Sequence, residues 1–329
     1  MNTIDILKTS LEARGYASRT LLLGEPKKSF TQFSSSRSGR LLTVSTDSPL
    51  YPFPTASARI VANSKDIAYD LVAGIDISIP ESVTVQLEDT LLEVADALLI
   101  AHKRVIVKPN ASSVSNGLTL DIKTTKQLHD AIAYARGFSD VVLVQRQVAG
   151  DEIRFVVIDG KVKAAILRQT PGVDGDGVNT LESLITKEND ARRAIIDTAV
   201  KYPQIDESLV PLMNFDLSII PADGERVELG KGTMIRSGAS IYNVMTTVHL
   251  SYSEIAEKLA AQIGNGFVVV DTMIVDYTQP ATAENYAFIE YNLTPALQLF
   301  YSCRDGKHFD VAGKYLAPMI DKLFQEELL

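Results

Sequence analysis

Two apolar stretches, FVVVDTMIV at residues 267–275 and FIEYN at residues 288–292, each carry an acidic residue in their middle. Both stretches are short and rich in β-branched or aromatic residues, which predicts two neighbouring buried strands. A carboxylate inside such a strand costs roughly several kcal/mol unless a cation compensates its charge. The two acids therefore indicate a functional site built on this pair of strands.

The acid of the first strand is Asp271, and the second strand contributes Glu290 and Asn292. Glu290 and Asn292 are two residues apart, so their side chains lie on one face of an extended strand. Oxygen-only ligands of this type are the ones that Mg²⁺ prefers. We therefore predict a Mg²⁺ site on these two strands, with solvated acids at a strand edge as the alternative.

The composition is that of an ordinary globular protein of 329 residues, 46% hydrophobic and 22% charged, with a formal net charge of -9. No run of basic residues is present, which argues against a nucleic-acid partner. A single cysteine, Cys303, excludes an intramolecular disulfide and a multi-cysteine zinc site. The chain shows no signal-peptide pattern and no apolar run of about 18 residues, so we expect a cytoplasmic protein without a membrane partner.

The order of predicted helices and strands divides the chain into two parts. Residues 1–86 are expected to form a small α/β unit, in which the polar, Ser-rich stretch 25–40 forms an exposed loop. Residues 87–329 are expected to form the larger part, with a lid subdomain at about 87–150 and a second subdomain at about 151–329. Within the second subdomain, Asp159-Gly160 between two β-rich runs predicts a hairpin.

Several polar residues of the larger part are candidates for anion binding. Lys108 ends the apolar strand VIVKP, where a lone lysine needs an anion or must extend its ammonium group to solvent. In the small polar loop 110–117 that follows, backbone N–H groups and the hydroxyls of Ser112, Ser113 and Ser115 could hold phosphate oxygens. An ordinary polar hairpin loop is the alternative interpretation.

Two further pairs of residues lie on the strands after this loop. Gln145 and Glu152 flank a kink at residues 149–150, where one could meet a base edge and the other a ribose diol, unless they belong to a surface hairpin. Arg154 and Arg168 lie on facing strands of the predicted hairpin and could bind a carboxylate or phosphate in one cleft. Each charge-assisted contact would contribute about 1.5 to 3 kcal/mol, although arginines on exposed strands are usually solvated.

The order of these features resembles that of ATP-grasp ligases: a strand that ends in lysine, a loop of small residues, a hinge followed by an acid, then Asp on one strand and Glu-x-Asn on the next. Within that superfamily the sequence is most similar to the C-terminal ATP-grasp module of bifunctional glutathione synthetases, and next to the ATP-grasp module of cyanophycin synthetase. The segments that carry the resemblance cover most of the chain from about residue 60 onward. They are VIVKP, LVQRQVAGDEIRFVVIDGKV, LRQTPGVDGDGVNTLESLITKEND, VDTMIVDYTQPATAENYAFIEYNLTPALQL and DGKHFDVAGKYLAPMIDKLF.

The resemblance implies an α/β (α+β) protein with the ATP-grasp fold, in which mixed antiparallel sheets and helices hold ATP between two subdomains. It also implies an ATP-dependent carboxylate-amine ligase that forms an amide or peptide bond through an acyl phosphate, on amino acid or small peptide substrates. ATP and one or two Mg²⁺ ions, with Mn²⁺ as an alternative, would be its cofactors. Related ligases are often dimers or tetramers, so a homo-oligomer is compatible with the resemblance.

The resemblance assigns roles to single residues. Lys65 and Lys108 would hold nucleotide phosphates, and Ser112, Ser113 and Ser115 belong to the loop that covers them. Gln145 and the backbones of Arg146 and Val148 would meet the adenine, and Glu152 would bind the ribose hydroxyls. Asp271, Glu290 and Asn292 match the Mg²⁺ ligands. Arg154 and Arg168 match arginines near the transferred phosphate and the acceptor carboxylate, and with Lys108 they are the predicted catalytic residues.

Departures from the family pattern lie where the amine substrate is expected. In the segment 230–252 Gly238 is kept, but Ser240 and Asn243 occupy acidic positions, and Phe300 stands where a histidine is usual. These changes leave the ATP-binding pattern intact and leave the two substrates open. A kinase-like phosphotransferase and a non-catalytic nucleotide- or peptide-binding module remain as alternatives to the ligase.

Overall fold

The computed structural model describes residues 2–45, 54–89, 92–112, 116–195, 202–206, 215–230, 232–233 and 237–325. Within these ranges the chain forms eight α-helices and fourteen strands, which are arranged in four sheets. The strand pairs in these sheets are antiparallel. The predicted class of mixed helices and antiparallel sheets is therefore confirmed.

A five-stranded sheet forms the centre of the molecule, in the order β12-β9-β8-β13-β14. Its strands are β8 (Asp151–Ile158), β9 (Lys161–Gln169), β12 (Ser240–Asn243), β13 (Phe267–Ile274) and β14 (Tyr286–Asn292). The predicted pairing of the two acid-bearing strands is confirmed, since β13 and β14 are neighbours. The predicted hairpin is confirmed as well, with Asp159 and Gly160 at positive φ between β8 and β9.

A second sheet of four strands, in the order β4-β7-β5-β6, precedes the whole central sheet along the chain. Its strands are β4 (Ser82–Gln86), β5 (Val105–Pro109), β6 (Thr119–Ile122) and β7 (Val141–Arg146), and helices α4 (Glu93–His102) and α5 (Thr125–Ala135) cover it. Buried aliphatic residues of the strands and both helices form one core. The predicted boundary after residue 86 falls at the end of β4 and would separate this strand from the sheet to which it belongs. The division into domains stays a prediction.

The N-terminal residues form helix α1 (Thr3–Glu12) and a three-stranded sheet of β1 (Tyr16–Leu23), β2 (Lys28–Ser35) and β3 (Leu41–Ser45). The prediction of a loop over residues 25–40 is wrong, because β2 occupies the middle of that range. Thr31, Phe33 and Ser35 are buried at alternate positions of β2. Two of these three inward residues are small and polar, so the alternation that marks a strand is hidden in the sequence.

Each face of the central sheet packs against a different group of helices. On one face lie α1 and the C-terminal helix α8 (Ala317–Gln325), which continues a π-helical turn at Ala312–Leu316. On the other face lie α2 (Ala56–Asn63), α3 (Lys65–Val72) and α7 (Leu250–Ile263). A smaller cluster contains α6 (Leu181–Arg193) with the short strands β10 (Gly172–Asp174) and β11 (Arg226–Glu228). The helices that the structure describes are all too short or too polar to span a lipid bilayer.

The connection from β7 to β8 joins the four-stranded sheet to the central sheet and packs against the end of β13. Gly150 in this connection has a φ of +116°, a region that other residues rarely adopt. A Cβ atom at this position would lie 2.3 Å from the carbonyl oxygen of Ile274. Both the backbone conformation and the close approach therefore require glycine at the junction between the sheets.

Replacing Gly150 with Ala is expected to lower the free energy of unfolding by about 2 kcal/mol or more, because the new methyl group meets backbone atoms that cannot move aside. Chemical denaturation followed by circular dichroism measures the change. Gly160→Ala is the control, since Gly160 also has a positive φ of +72° but a Cβ atom there would meet no other part of the protein within 4 Å. An equal loss in both variants would contradict the role given to the close approach.

Candidate functional site

A row of charged side chains crosses three neighbouring strands of the central sheet. Arg154 on β8 is directly opposite Asp271 on β13, and Asp271 is directly opposite Glu290 on β14. Cross-strand partners in an antiparallel sheet project from the same face. The two acids that appeared in separate stretches of sequence therefore lie side by side, next to an arginine.

A β-bulge in β14 determines which side chains join this row. The register of β14 against β13 shifts between Asp271 and Thr272, so that Glu290 pairs with Asp271 while Phe288 pairs with Thr272. Ile289 is the extra residue, and the shift lets Phe288 enter the apolar core while Glu290 stays on the charged face. Simple alternation would have placed residues 288 and 290 on the same face.

Arg154 and Asp271 form a buried, two-point ion pair. Nε of Arg154 donates to one carboxylate oxygen of Asp271 at 2.7 Å, and Nη2 donates to the other at 2.5 Å. The two residues are 5% and 2% exposed. Burial alone would lower the pKa of Arg154, but the charge and hydrogen bonds of Asp271 outweigh it and raise this pKa. Burial raises the pKa of Asp271, and Arg154 opposes that rise.

Glu290 faces the cleft between the two sheets and is about one third exposed. The Nζ atom of Lys65 lies 3.3 Å from its carboxylate and also donates to the backbone oxygen of Ser112 at 3.2 Å. Burial favours the neutral acid, but the charges of Lys65, Lys108 and Arg154 together lower the pKa of Glu290. The acid is therefore held in its charged form among three cations.

Lys108 and Gln145 meet at a residue that was not predicted from the sequence, Tyr69 on α3. Nζ of Lys108 donates to the Tyr69 hydroxyl at 3.1 Å, and Nε2 of Gln145 donates to it at 3.0 Å. The hydroxyl in turn donates to the backbone oxygen of Ile289 at 2.9 Å. The signal available in the sequence was a tyrosine on the apolar face of a helix, which needs a buried partner for its hydroxyl. That signal does not say which partner it finds.

Glu152 and Arg168 pair with each other across β8 and β9, where they are directly opposite in register. The carboxylate of Glu152 accepts hydrogen bonds from Arg168 and from the hydroxyl of Thr233, and Arg168 also donates to the backbone oxygen of Thr233 at 2.7 Å. Nε of Arg168 is buried and has no hydrogen-bond partner among the described residues. The predicted ribose-binding acid and one predicted catalytic arginine therefore share one corner of the cleft.

The remaining predicted residues lie around this cleft or outside the described part of the chain. The backbone N–H of Arg146 donates to the oxygen of Glu81 at 2.8 Å, and Val148 lies in the connection that follows β7. The hydroxyl of Ser112 donates to the backbone oxygen of Asn116 at 2.9 Å. Ser113 and Ser115 lie outside the described residues.

The oxygen donors of β13 and β14 fit a divalent cation in their chemistry. The carboxylates of Asp271 and Glu290 are cross-strand neighbours, and Asn292 at the end of β14 supplies an amide oxygen that accepts from the N–H of Thr294 at 2.9 Å. Carboxylate and amide oxygens suit Mg²⁺, and each carboxylate oxygen has a second lone pair besides the one that a cationic side chain occupies. No cluster of three or more His, Cys, Asp or Glu residues occurs in the described ranges, so an amide would have to complete this donor set.

The segment with departures from the family pattern has both buried and exposed contacts. Ser240 is 2% exposed, and its hydroxyl accepts from Nη2 of Arg192 at 2.8 Å. Asn243 donates to the backbone oxygen of Lys307 at 2.8 Å. Gly238 has a φ of +94°, and a Cβ there would lie 2.4 Å from Cα of Ile205. Ser240 and Gly238 thus have contacts in the protein interior, whereas Asn243 makes an exposed hydrogen bond to the backbone.

A charged cleft between a four-stranded antiparallel sheet and a larger central sheet is the architecture of ATP-grasp proteins. The crystal structure of a bifunctional glutathione synthetase from Pasteurella multocida aligns with 98% of this chain and 43% of its own chain, with a TM-score of 0.62 and 21% sequence identity. The chain therefore has the ATP-grasp fold, as the sequence predicted.

Within this fold, the sequence is similar to two curated proteins that the resemblance had indicated. The glutathione biosynthesis bifunctional protein of Streptococcus thermophilus is 28% identical over 239 residues, which are 69% of this chain and 31% of the relative. The cyanophycin synthetase of Geminocystis herdmanii is 26% identical over 274 residues, which are 81% of this chain and 30% of the relative. The chain thus spans about a third of the length of these relatives. No protein-family model matches it.

Replacing Asp271 with Asn is expected to lower the free energy of unfolding by about 3 to 5 kcal/mol, because it leaves the buried charge of Arg154 without its counter-charge. Urea denaturation measures this loss. Asp130→Asn is the matched control, since the Lys126–Asp130 ion pair is exposed and its removal is expected to change stability by about 0.5 kcal/mol at most. A small, equal effect of both substitutions would show that Arg154 does not depend on Asp271.

Proposed function

We propose that the chain is an ATP-dependent carboxylate-amine ligase that forms an amide bond on amino acid or small peptide substrates. The observation that carries the proposal is the convergence of four basic side chains with three acids on one cleft. The basic residues are Lys65, Lys108, Arg154 and Arg168, and the acids are Glu152, Asp271 and Glu290. The sequence similarity to a glutathione biosynthesis bifunctional protein and to a cyanophycin synthetase supports this choice of chemistry.

In the proposed reaction a carboxylate oxygen of the first substrate bonds to the γ-phosphorus of ATP as the bond to the ADP oxygen breaks. The amine of the second substrate then attacks the acyl carbon, and inorganic phosphate leaves. Neither step needs a nucleophile from the protein. What the site must supply is positive charge near the phosphates, because negative charge moves between oxygens in both steps.

The contacts within the cleft support a separate role for each of its basic residues. Lys65 and Lys108 both place their charges close to Glu290 and would bind the phosphates. Arg154 already donates two hydrogen bonds to Asp271, so its role would be to hold that carboxylate in place. Arg168 has a buried Nε without a partner among the described residues, and is the arginine with a donor to spare for a substrate oxygen.

Asp271, Glu290 and Asn292 would hold Mg²⁺, or Mn²⁺ in its place. When bound, such an ion would neutralise phosphate charge and orient the phosphate chain. The protein prepares for this by keeping Glu290 ionised, since nearby cations lower its pKa. The loop after β5, which includes Ser112 and contacts Lys65, would cover the phosphates and limit the access of water to the acyl phosphate.

Phosphate release with a panel of amino acids and dipeptides, combined with mass spectrometry of the products, tests the proposal. Dependence on both a carboxylate and an amine, with a product lighter than the two substrates by one water, supports a ligase. A stable phosphorylated product without an amine would favour a phosphotransferase. Binding of ATP without turnover under every pairing would favour a binding module and overturn the proposal.

Replacing Glu290 with Gln is expected to lower kcat by about 100-fold or more, because the amide keeps the shape of the side chain but loses the charge that holds a divalent cation. The phosphate-release assay measures this effect. Glu284→Gln is the control, since Glu284 is exposed and precedes the start of the same strand, whereas Glu290 lies near its end. Unchanged turnover in the Glu290 variant would remove this residue from the metal site.

The affinity for ATP is expected to fall as the pH rises through about 8. Burial lowers the pKa of Lys108 to about 8, while the charge of Glu290 opposes this and the Tyr69 phenol stays neutral. The ammonium is therefore present below this pH and lost above it. Calorimetric titration of ATP over roughly 1.5 pH units on either side of that pKa measures the effect. A Lys108→Met variant should bind ATP more weakly and without this pH dependence; the same dependence in the variant would exclude Lys108 as its source.

A further inference from the structure

Tyr69 lies at the point where the two sheets of the ATP-grasp fold come together. Its side chain leaves α3, is 5% exposed, and packs edge-on against Phe288 with ring centres 6.0 Å apart. Its hydroxyl touches Lys108 and Gln145 of the four-stranded sheet and the bulge residue Ile289 of the central sheet. One phenol thus connects both walls of the cleft.

The three hydrogen-bond partners of Tyr69 determine the direction in which its hydroxyl donates. The backbone oxygen of Ile289 carries no hydrogen, so the Tyr69 hydroxyl must donate its single hydrogen to it. The phenol oxygen can then only accept from its other two partners. Burial raises the pKa of Tyr69, so the hydroxyl keeps this hydrogen at neutral pH.

This arrangement fixes the orientation of the Gln145 side chain. A carboxamide has an NH₂ end that donates and an oxygen end that accepts. Because the phenol oxygen can only accept, Gln145 must turn its NH₂ end towards Tyr69, at 3.0 Å. Gln145 is 1% exposed, so water does not compensate the opposite orientation. The end that remains for a ligand is the amide oxygen, an acceptor.

We propose that Tyr69 is a positioning residue that sets the base preference of the cleft. By holding the Gln145 amide with its oxygen towards the ligand, it favours a nucleobase with an exocyclic amino group over one with a carbonyl at the same place. The same hydroxyl holds the ammonium of Lys108 at the phosphate end. The inference rests on the proposed nucleotide cleft and concerns how that cleft distinguishes 6-amino from 6-oxo purines.

The test compares ATP with inosine triphosphate, which differs in having a carbonyl in place of the 6-amino group. Calorimetric titration of the full chain without other substrates gives both affinities. The wild-type protein is expected to prefer ATP, and Tyr69→Phe is expected to reduce this preference about tenfold, because the freed amide can rotate and donate to the carbonyl. Loss of the hydrogen bond between Tyr69 and Lys108 in this variant should lower the affinities for ATP and for inosine triphosphate by the same factor. The ratio of the two affinities therefore reports on Gln145 alone.

Tyr291→Phe is the matched control. Tyr291 is 2% exposed, its ring lies 4.7 Å from that of Phe288, and its hydroxyl donates to the backbone oxygen of Leu259 at 2.8 Å. The substitution removes a buried phenol hydroxyl next to the same aromatic ring but away from Lys108 and Gln145. The ratio of the two affinities should stay at the wild-type value. Gln145→Ala should lower the ratio by itself, and adding Tyr69→Phe should then change it no further.

An unchanged ratio in the Tyr69→Phe variant of a protein that binds ATP would overturn the inference. If the wild-type protein binds neither nucleotide, the proposed function fails and the base preference fails with it. NMR then tests the positioning of the amide separately, by measuring hydrogen exchange of the Gln145 NH₂ group. The signal of this group is identified by its absence from the spectrum of Gln145→Ala. Slow exchange in wild type and Tyr291→Phe with faster exchange in Tyr69→Phe supports the positioning, and equal rates in all three refute it.

Discussion

Charges that are removed from water must be balanced inside the protein, and this requirement governs the cleft. Asp271 is balanced by Arg154, Glu290 by Lys65, and Glu152 by Arg168. Each acid lies on the central sheet and takes its cation from a neighbouring strand or from the start of α3. The network therefore links β8 to both β9 and β13, and β14 to the start of α3, as well as preparing the site. A nucleotide with a divalent cation carries both negative and positive charge. Its phosphates can pair with the basic side chains and its cation with the acids, so no buried charge is left unpaired.

The charged row occupies only one end of its sheet face. Further along the same face, Val156 follows Arg154 on β8, and Val269 precedes Asp271 on β13; both valines belong to the core beneath α1 and α8. The opposite face is largely apolar and packs on α3 and α7. The site thus lies where the face leaves its covering helices and meets the four-stranded sheet. The bulge at Ile289 marks this transition, because it sends Phe288 into one core and Glu290 into the cleft.

The sequence predicted the features whose signal is local. The strands with Asp271 and Glu290 and the Asp159-Gly160 hairpin follow from short patterns of apolar and turn residues, whereas their mixed antiparallel setting was implied by the resemblance to ATP-grasp ligases. Strand β2 was missed because Thr31 and Ser35 point inward where apolar residues would normally show the alternation. The partners of Glu152 and Tyr69 were missed for another reason. Glu152 and Arg168 lie on the two strands of the predicted hairpin, but a β-bulge between Val156 and Val157 shifts the register by one residue and so decides that they face each other. Ile289 is 220 residues from Tyr69, so only the complete fold brings those two together.

The departures from the family pattern affect the interior more than the charge of the cleft. An acid at position 240 would lie against Arg192, whose Nε already donates to Glu188 at 2.7 Å. Glu188 also binds Arg304, so a single carboxylate is shared by two arginines, and the Ser240 hydroxyl accepts from Nη2 of Arg192 without adding a second negative charge. Phe300, at a position where a histidine is usual, is fully buried in the core with α1 and α8. Because Ser240 and Phe300 are buried in contacts with other parts of the protein, neither adds a charge to the cleft. In the proposed ligase, discrimination between amines would therefore depend on other side chains, and Arg168 has a buried donor without a partner among the described residues.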